Sequence, residues 1–553
     1  MCRLFRLMTN TVVACGLLPG GLSIAAGADN ANRLTYLDET DPFYAGLDIP
    51  RLTTPQWIGE PGVEGVVILA IDDMKSPEAY KAFLQPILDR LRQIDGRSPV
   101  SIFCNALDPN EPQYQRWLKE GLSLEVHTLS HPCPILDNGS FEKAVETFHG
   151  GVELIDRISG NTAVAFRTPC CDSINSPSPR LFAELFCRTN SRGQFLTIDS
   201  SVMNILTPQD ASLPKELVTD ADGREKFRKY LPFPAFQTTI ENYPYPYVID
   251  RLCWEFPAAV PSDWEAFHLQ GATNPVTVAD WKAGLDAALL KQGVFTMIFH
   301  PHGWMGNQEL AGLVDYAAKK YSGKVKFLSF REAQERLNHN LLADQPLRAA
   351  DGQDNSVRLL DLNNDGFLDV VIGNEHLQKT RTWNADESKW LDAGFPTKLV
   401  EVDSSGNRFD AGVRFGIISS DGLPIILVRN ETTAGAWRFD GKKWVADASL
   451  LRGLEIDGKP VFTSLNHRDR GVRLRDVNND GVCELIVGNE SQNAMFAWSA
   501  EEKTWKQMPY GLPDGTSIVD AEGRDNGLRF VDVNGDGYAD VIFSNAKHYS
   551  LHL

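Results

Sequence analysis

Positive charge is in short supply in this chain. It sets 54 lysines and arginines against 73 acidic residues, a formal net charge of −19, and no basic cluster or tail offsets the excess. A polyanion would be repelled, which excludes nucleic acid as a partner. Beyond the N-terminus no apolar run is long enough to cross a bilayer, so an integral membrane protein is not expected. No Cys-x-x-Cys occurs, which removes the common thiolate zinc pattern. Of the nine cysteines, seven lie beyond Cys2 and Cys15. That odd number leaves at least one unpaired, and the pairing is not readable from spacing.

What remains is an ordinary globular composition, 42% hydrophobic and 23% charged, over 553 residues. That length suits about three or four average domains. Arg3 and Arg6 precede a Gly-interrupted apolar stretch to Ile24, and Ala26-Gly27-Ala28 is a small-x-small cleavage site. Residues 1–28 are therefore expected to be a signal peptide and the protein to be exported, to the periplasm, the cell surface or the medium. Val12-Val13-Ala14-Cys15 resembles a lipoprotein cleavage box, which leaves lipidation at Cys15 as a competing outcome.

Two textures follow. Residues 60–340 alternate strand-like runs (Val66 to Ile71, Val100 to Phe103, Ala163 to Phe166, Gln194 to Ile198, Val294 to Phe299, Val325 to Leu328) with helical patterns at Ser76 to Ile94, Phe141 to Ile158, Val278 to Leu290 and Leu310 to Lys320. Such alternation predicts an α/β fold with a parallel sheet or (β/α) barrel, whose sites form at the C-terminal ends of strands. A Pro-rich, aromatic segment at about 203–247 reads as an insertion.

Residues 354–553 are repeats. Arg358, Arg414, Arg473 and Arg529 stand 56, 59 and 56 apart, and three units carry a tryptophan pair: Trp383 and Trp390, Trp437 and Trp444, Trp498 and Trp505. Repeat-core packing is the expected role of these tryptophans. The period predicts an all-β, propeller-like array of about three and a half blades, which cannot close a ring by itself.

Chemistry concentrates in the first half. Val126-His127-Thr128-Leu129-Ser130-His131-Pro132 carries two histidines four apart, but Leu122 to Val126 alternates as a strand does and Pro132 disfavours helix at His131. The pair is expected in a turn at a strand end. An isolated pair is as readily two hydrogen-bonded loop histidines, and a catalytic zinc takes three protein ligands. Asp72-Asp73, ending the first strand-like run, supplies a candidate third ligand. Two adjacent carboxylates there are costly unless a cation or proton offsets them. Arg167-Thr168-Pro169, Asp199 and His300 end further strand-like runs, so polar groups from five strand ends would share one rim.

In this order the residues resemble the polysaccharide deacetylase family, the carbohydrate esterases that include chitin and peptidoglycan deacetylases. The resemblance covers about residues 60–340. It implies that Asp73, His127 and His131 hold zinc or another divalent transition metal, that Asp72 is the general base, and that His300 protonates the leaving amine. It implies too that Arg167 steadies Asp72 and that Asp199 tunes the pair. His302 is expected in a loop or the substrate cleft, or simply at the surface. Met74 and Cys171 replace family glycines, and the aromatic residue expected after the fourth motif's aspartate is missing at Ser200-Ser201.

The repeats carry a second metal pattern. Asp361, Asn363, Asp365 and Asp369 alternate oxygen ligands around Gly366, and the pattern recurs as Asp476, Asn478, Asp480 and Glu484, and as Asp532, Asn534, Asp536 and Asp540. That spacing wraps calcium. The second unit has Ser419, Asp421 and Pro424 and is expected to have lost the ion. The pattern resembles FG-GAP and VCBS repeats. The expected function is an exported metal-dependent deacetylase acting on N-acetyl, or O-acetyl, groups of a polysaccharide, with a cell-surface or protein partner open to the repeats. The alternatives are a catalytically inactive binding protein and an amidohydrolase acting on a small molecule.

Overall fold

A computed structural model describes residues 52–553 apart from 137–138, 172–177 and 232–236. The expected signal peptide and Cys15 lie outside the described residues. Among the described residues no helix is long and apolar enough to cross a membrane.

The first half is built on one 12-stranded sheet. Its strands are β1 (Gly65–Met74), β2 (Val100–Cys104), β3 (Ser123–Val126), β4 (Ala165–Phe166), β5 (Ile198–Asp199), β6 (Met203–Ile205), β7 (Thr239–Glu241), β8 (Tyr247–Ile249), β9 (Cys253–Glu255), β10 (Ala258–Ala259), β11 (Val294–Phe299) and β12 (Val325–Phe327). They run in the order β7-β6-β10-β11-β1-β2-β3-β4-β5-β9-β8, with β12 also on β1. Every pairing is parallel except that of β8 with β9. Parallel strands end on the same side, which is why the motifs gather there.

The unbroken apolar run of β1 forms a central strand because both faces are covered: Val67, Leu69 and Ile71 face one core, Val66, Ile68 and Ala70 another. The helix Pro77–Asp95, with proline at its start and a left-handed Gly96 at its end, packs Tyr80, Leu84, Ile87, Leu88 and Leu91 into the first of these cores. The strand read from the alternation before the histidine pair is β3, and its Glu125 is fully buried. It accepts the backbone N–H groups of Val164 and Ala165, both at 2.8 Å, where β4 is too short to be a full partner. The segment at 203–247 does not stand apart as an insertion. Met203–Ile205 and Thr239–Glu241 extend one edge of the same sheet, their brevity having hidden any period.

Among the described residues the second half is four larger antiparallel sheets with three two-stranded ribbons between them, Val400–Val402 with Arg408–Asp410, Glu455–Ile456 with Lys459–Pro460, and Ser464–Leu465 with Arg468–Asp469. Three of the larger sheets have four strands, and the last, Leu528–Val531, Asp540–Ser544 and Tyr549–His552, has three, one more than the sequence pattern discloses. Trp383 faces Trp390 and Trp498 faces Trp505 across neighbouring strands, while in the second unit the register places Trp444 opposite Phe439. Packing is thus their role. The units lock in series: Cys483 N donates to Ile417 O (2.6 Å), and Ala539 N to Val477 O (3.0 Å). The first unit has no predecessor, and the segment Leu52–Thr54 stands in its place. Leu368 N donates to Thr53 O, Thr53 N donates to Gly366 O, and Tyr243 and Pro246 of the large sheet hold Leu52 and Thr54. Val357, Leu359 and Val370 then share a core with Val66, Ile68 and Phe330. The first repeat is thus packed against the α/β domain.

Ion pairs join the repeats as well. Asp469 meets Arg473 of its own unit (2.8 Å) and Arg414 of the preceding one (2.9 Å). Burial pushes its carboxyl up, but the two guanidinium groups outweigh this and hold it well below the usual range. A depressed folded value contributes stability above the unfolded pKa, about 3.9, and that stability is lost as pH falls through the folded value. Asp469→Asn is therefore expected to lower the unfolding temperature at pH 7, with the two proteins converging in acid. A difference in unfolding temperature that stays constant from pH 7 to pH 3 would refute this.

Candidate metal centre

Asp72 and Asp73 occupy the end of β1, where the register to β2 shifts between Ile71 and Met74. The shift turns successive side chains to different uses. Asp73 takes a left-handed backbone (φ 73), and its Oδ1 lies 2.9 Å from His131 Nε2 and 3.4 Å from His127 Nε2. His127 directly follows β3, and the turn brings His131 back beside it, ring centroids 5.0 Å apart. In that turn Thr128 Oγ1 accepts the His131 N–H at 3.0 Å, with both residues left-handed. The pair is turn-borne, as the strand pattern and Pro132 require.

His127 decides what the cluster holds. Its Nδ1 is 2.8 Å from the Arg167 carbonyl oxygen, which can only accept. The ring proton therefore sits on Nδ1, and in the neutral imidazole the Nε2 lone pair points at a carboxylate oxygen. Asp73 Oδ1 is buried and accepts no hydrogen bond from any described residue. Two electron-rich atoms facing each other require a cation between them, or a proton on the imidazole. The donor set of one carboxylate and two imidazoles fits zinc or a similar divalent metal. Among the described residues it is the one group of three such ligand atoms within reach of one another. Burial raises the Asp73 carboxyl, but the three imidazoles of His127, His131 and His302 around it outweigh this and hold the group far below the usual range.

The other rim residues sort themselves by contact. Arg167, fully buried, donates to Asp72 Oδ1 (2.7 Å), Ser200 O (2.8 Å) and Ser200 Oγ (2.9 Å), with its guanidinium over the Phe103 ring. Asp72 is thereby fixed beside Asp73. His300 Nε2 lies 3.9 Å from Asp73 Oδ2. His302, left between cleft and surface by the sequence, reaches the centre: its Nε2 is 3.2 Å from Asp73 Oδ2.

Asp199 is the exception. It makes no hydrogen bond to Arg167 or Asp72, and what links it to that pair is the Arg167 charge, which lowers its carboxyl against burial. It sits in register with Glu255 on β9, accepts the Ser201 hydroxyl at 2.6 Å, and burial pushes its carboxyl up to about 6. Burial and the Asp199 charge push the Glu255 carboxyl far above the usual range, so the proton the two carboxyls share belongs on Glu255. The carboxylate on His300 is Asp263, which sequence reasoning missed. It is fully buried and accepts both the His300 backbone N–H (2.7 Å) and Nδ1–H (2.8 Å). Burial pulls the imidazole pKa down, but the charge and hydrogen bond of Asp263 outweigh it and raise it to about 9. Asp263 begins the helix Asp263–Gln270, capped by Ser262 and Glu265. Trp264 follows it, so an aspartate with an aromatic neighbour was available; the two-residue strand before it concealed the position.

Residues 476–543 match the FG-GAP-like repeat family model. No curated protein matches the chain. Among solved structures, peptidoglycan deacetylase PdaC from Bacillus subtilis is 15% identical with a TM-score of 0.26, covering 51% of this chain and 95% of that one. A family 4 carbohydrate esterase from Streptomyces lividans in complex with acetate is 14% identical, TM-score 0.24, covering 49% and 92%. The chitin deacetylase of the fungal pathogen Colletotrichum lindemuthianum is 18% identical, TM-score 0.23, covering 45% and 88%.

In the repeats, the first aspartate of each Asp-rich loop accepts backbone N–H groups: Asp361 from Asp365 and Gly366, Asp476 from Asp480 and Gly481, Asp532 from Asp536 and Gly537. The closing acids Asp369, Glu484 and Asp540 each accept the N–H that follows the first aspartate, at Leu362, Val477 and Val533. In the second unit Ser419 donates to Asp421 instead.

Proposed function

We propose that the protein is an exported, metal-dependent deacetylase that hydrolyses N-acetyl, or O-acetyl, groups of a polysaccharide and carries calcium in its repeats. The observation that supports it most directly is Asp73 Oδ1 facing the Nε2 atoms of His127 and His131, with Asp72 next in the chain and His300 3.9 Å away. Asp73, His127 and His131 would hold zinc or a similar ion, which supplies Lewis acidity toward a water and an acetyl carbonyl. Asp72, oriented by Arg167, takes the proton of the attacking water. His300, its Nδ1–H held by Asp263, gives a proton from Nε2 to the departing amine. His302 steadies the second oxygen of Asp73.

A polymeric substrate is favoured by the ring-lined rim. Trp304 stands 4.8 Å from His300 and 5.0 Å from His302, stacks on Phe267, and neighbours Trp264 through His268. Half-exposed aromatic faces of this kind suit the apolar faces of sugar rings. The repeats remain open to a cell-surface or protein partner.

Metal analysis of the purified chain, with acetate release from a panel of acetylated glycans, tests the proposal. A metal-loaded protein that releases acetate from none of them would favour a binding role instead. Calcium is tested separately. Thermal unfolding is expected to move upward on calcium titration, by about 2.7 kcal/mol at a hundredfold excess over the Kd, and Asp361→Asn to reduce the shift. An unmoved transition means the loops take no ion.

A further inference from the structure

Two loops border the metal centre, and a disulfide joins them. Cys133 lies two residues beyond His131 and Cys170 three beyond Arg167, and their sulfurs are bonded across a sequence separation of 37. Both are exposed, whereas Cys104, Cys171, Cys187, Cys253 and Cys483, the unpaired cysteines among the described residues, are buried. Among the described residues, the exposed cysteines are thus gathered at this one rim.

The loops it ties are held in disfavoured conformations. Thr128 (φ 65) and His131 (φ 56) on one side, and Cys170 (φ 62) and Cys171 (φ 46) on the other, are left-handed without being glycine. Such backbone persists only under restraint from its surroundings. What each loop carries is exacting: one presents the ligand His131, the other the Arg167 that bonds Asp72, and the Arg167 carbonyl fixes the ring proton of His127. A cross-link between them restrains the metal ligands and the partner of the base together.

We propose that the Cys133–Cys170 disulfide is a redox clamp on the metal centre: closed, it holds the two loops in the arrangement that binds a divalent cation, and opened by reduction, it lets that affinity fall. The clamp rests on the metal-dependent reading above for its cation, but not on the identity of the acetylated substrate. The reductant is a dithiol. One of its thiolates attacks an exposed cysteine sulfur, the other cysteine leaves as a thiolate, and the second reductant thiol resolves the mixed disulfide. Two electrons and two protons pass to Cys133 and Cys170, and the reductant becomes a disulfide. Exposure of the bridge is what makes it open to this exchange.

The full chain is tested with zinc itself, by competition against a chromogenic chelator. Three forms are compared: the oxidised protein, the same protein reduced with dithiothreitol and desalted without oxygen, and Cys133→Ser/Cys170→Ser. The reduced protein and the double variant are expected to bind zinc about 10–100-fold more weakly than the oxidised one, the range seen when supports of metal ligands are removed. Reoxidation restores the wild type, and dithiothreitol treatment leaves the double variant unchanged. Equal affinity in the oxidised and reduced wild type overturns the clamp, whether or not the double variant folds. A thiol count on the denatured, oxidised chain that finds no bridge does the same. Absence of zinc binding in every form overturns the clamp and the metal reading together. Affinity that follows the redox state without any acetate release supports the clamp and removes only the deacetylase.

Discussion

The His127→Ala protein is expected to retain no zinc through gel filtration and to release no acetate, while still unfolding cooperatively. The side chain is nearly fully buried and makes two opposed commitments, Nδ1 to the Arg167 carbonyl and Nε2 toward Asp73. Its loss removes one of the three proposed ligands and frees the backbone that carries Arg167. The orphaned carbonyl costs about 1–3 kcal/mol, a few degrees for a domain of this size, so loss of metal and loss of fold are separable by calorimetry. His302→Ala should behave differently. It touches the far oxygen of Asp73 from an exposed position, so zinc binding weakens without vanishing. Zinc retained by His127→Ala at wild-type stoichiometry, or acetate release surviving without metal, would sink the assignment of this centre.

Much of the centre was legible in the sequence, for a physical reason. Parallel strands deliver their C-terminal ends to one rim, so residues that merely end successive apolar runs must converge, and Asp73, His127, Arg167 and His300 do. Buried strands such as Val66 to Ile71 announce themselves by unbroken hydrophobicity. The two-residue strand β10 does not. Asp199 ends a strand-like run, but its neighbour in register, Glu255, was not readable, because a pairing partner is not encoded in a strand's own pattern. Asp263 lay behind β10, too short to read. The Cys133–Cys170 bridge, the cap at Leu52–Thr54 and the opposed atoms of Asp73 and His127 are all contacts between distant segments. Spacing along one chain carries no information on them.

Asp263→Asn gives the sharpest separation between the two aspartates. The carboxylate of Asp263 accepts from two donors of the same residue, the backbone N–H and the Nδ1–H of His300. An asparagine has one acceptor oxygen, so its amide must point at one of those donors. Facing Nδ1, it makes that nitrogen an acceptor and forbids the imidazolium form; facing the backbone, it leaves a buried donor unmet. Either way the charge that raises the imidazole is gone. Since general acid catalysis is worth about 10²–10⁴ in rate, kcat on an acetylated glycan is expected to fall within that range. Zinc content should hold, because no ligand touches Asp263. Asp199→Asn replaces a buried carboxyl that already shares its site with Glu255 and does not reach His300, so its kcat should stay within about tenfold of wild type. Equal losses in the two variants would mean that contact with His300 is not what matters, and the general acid would have to be sought elsewhere on the rim.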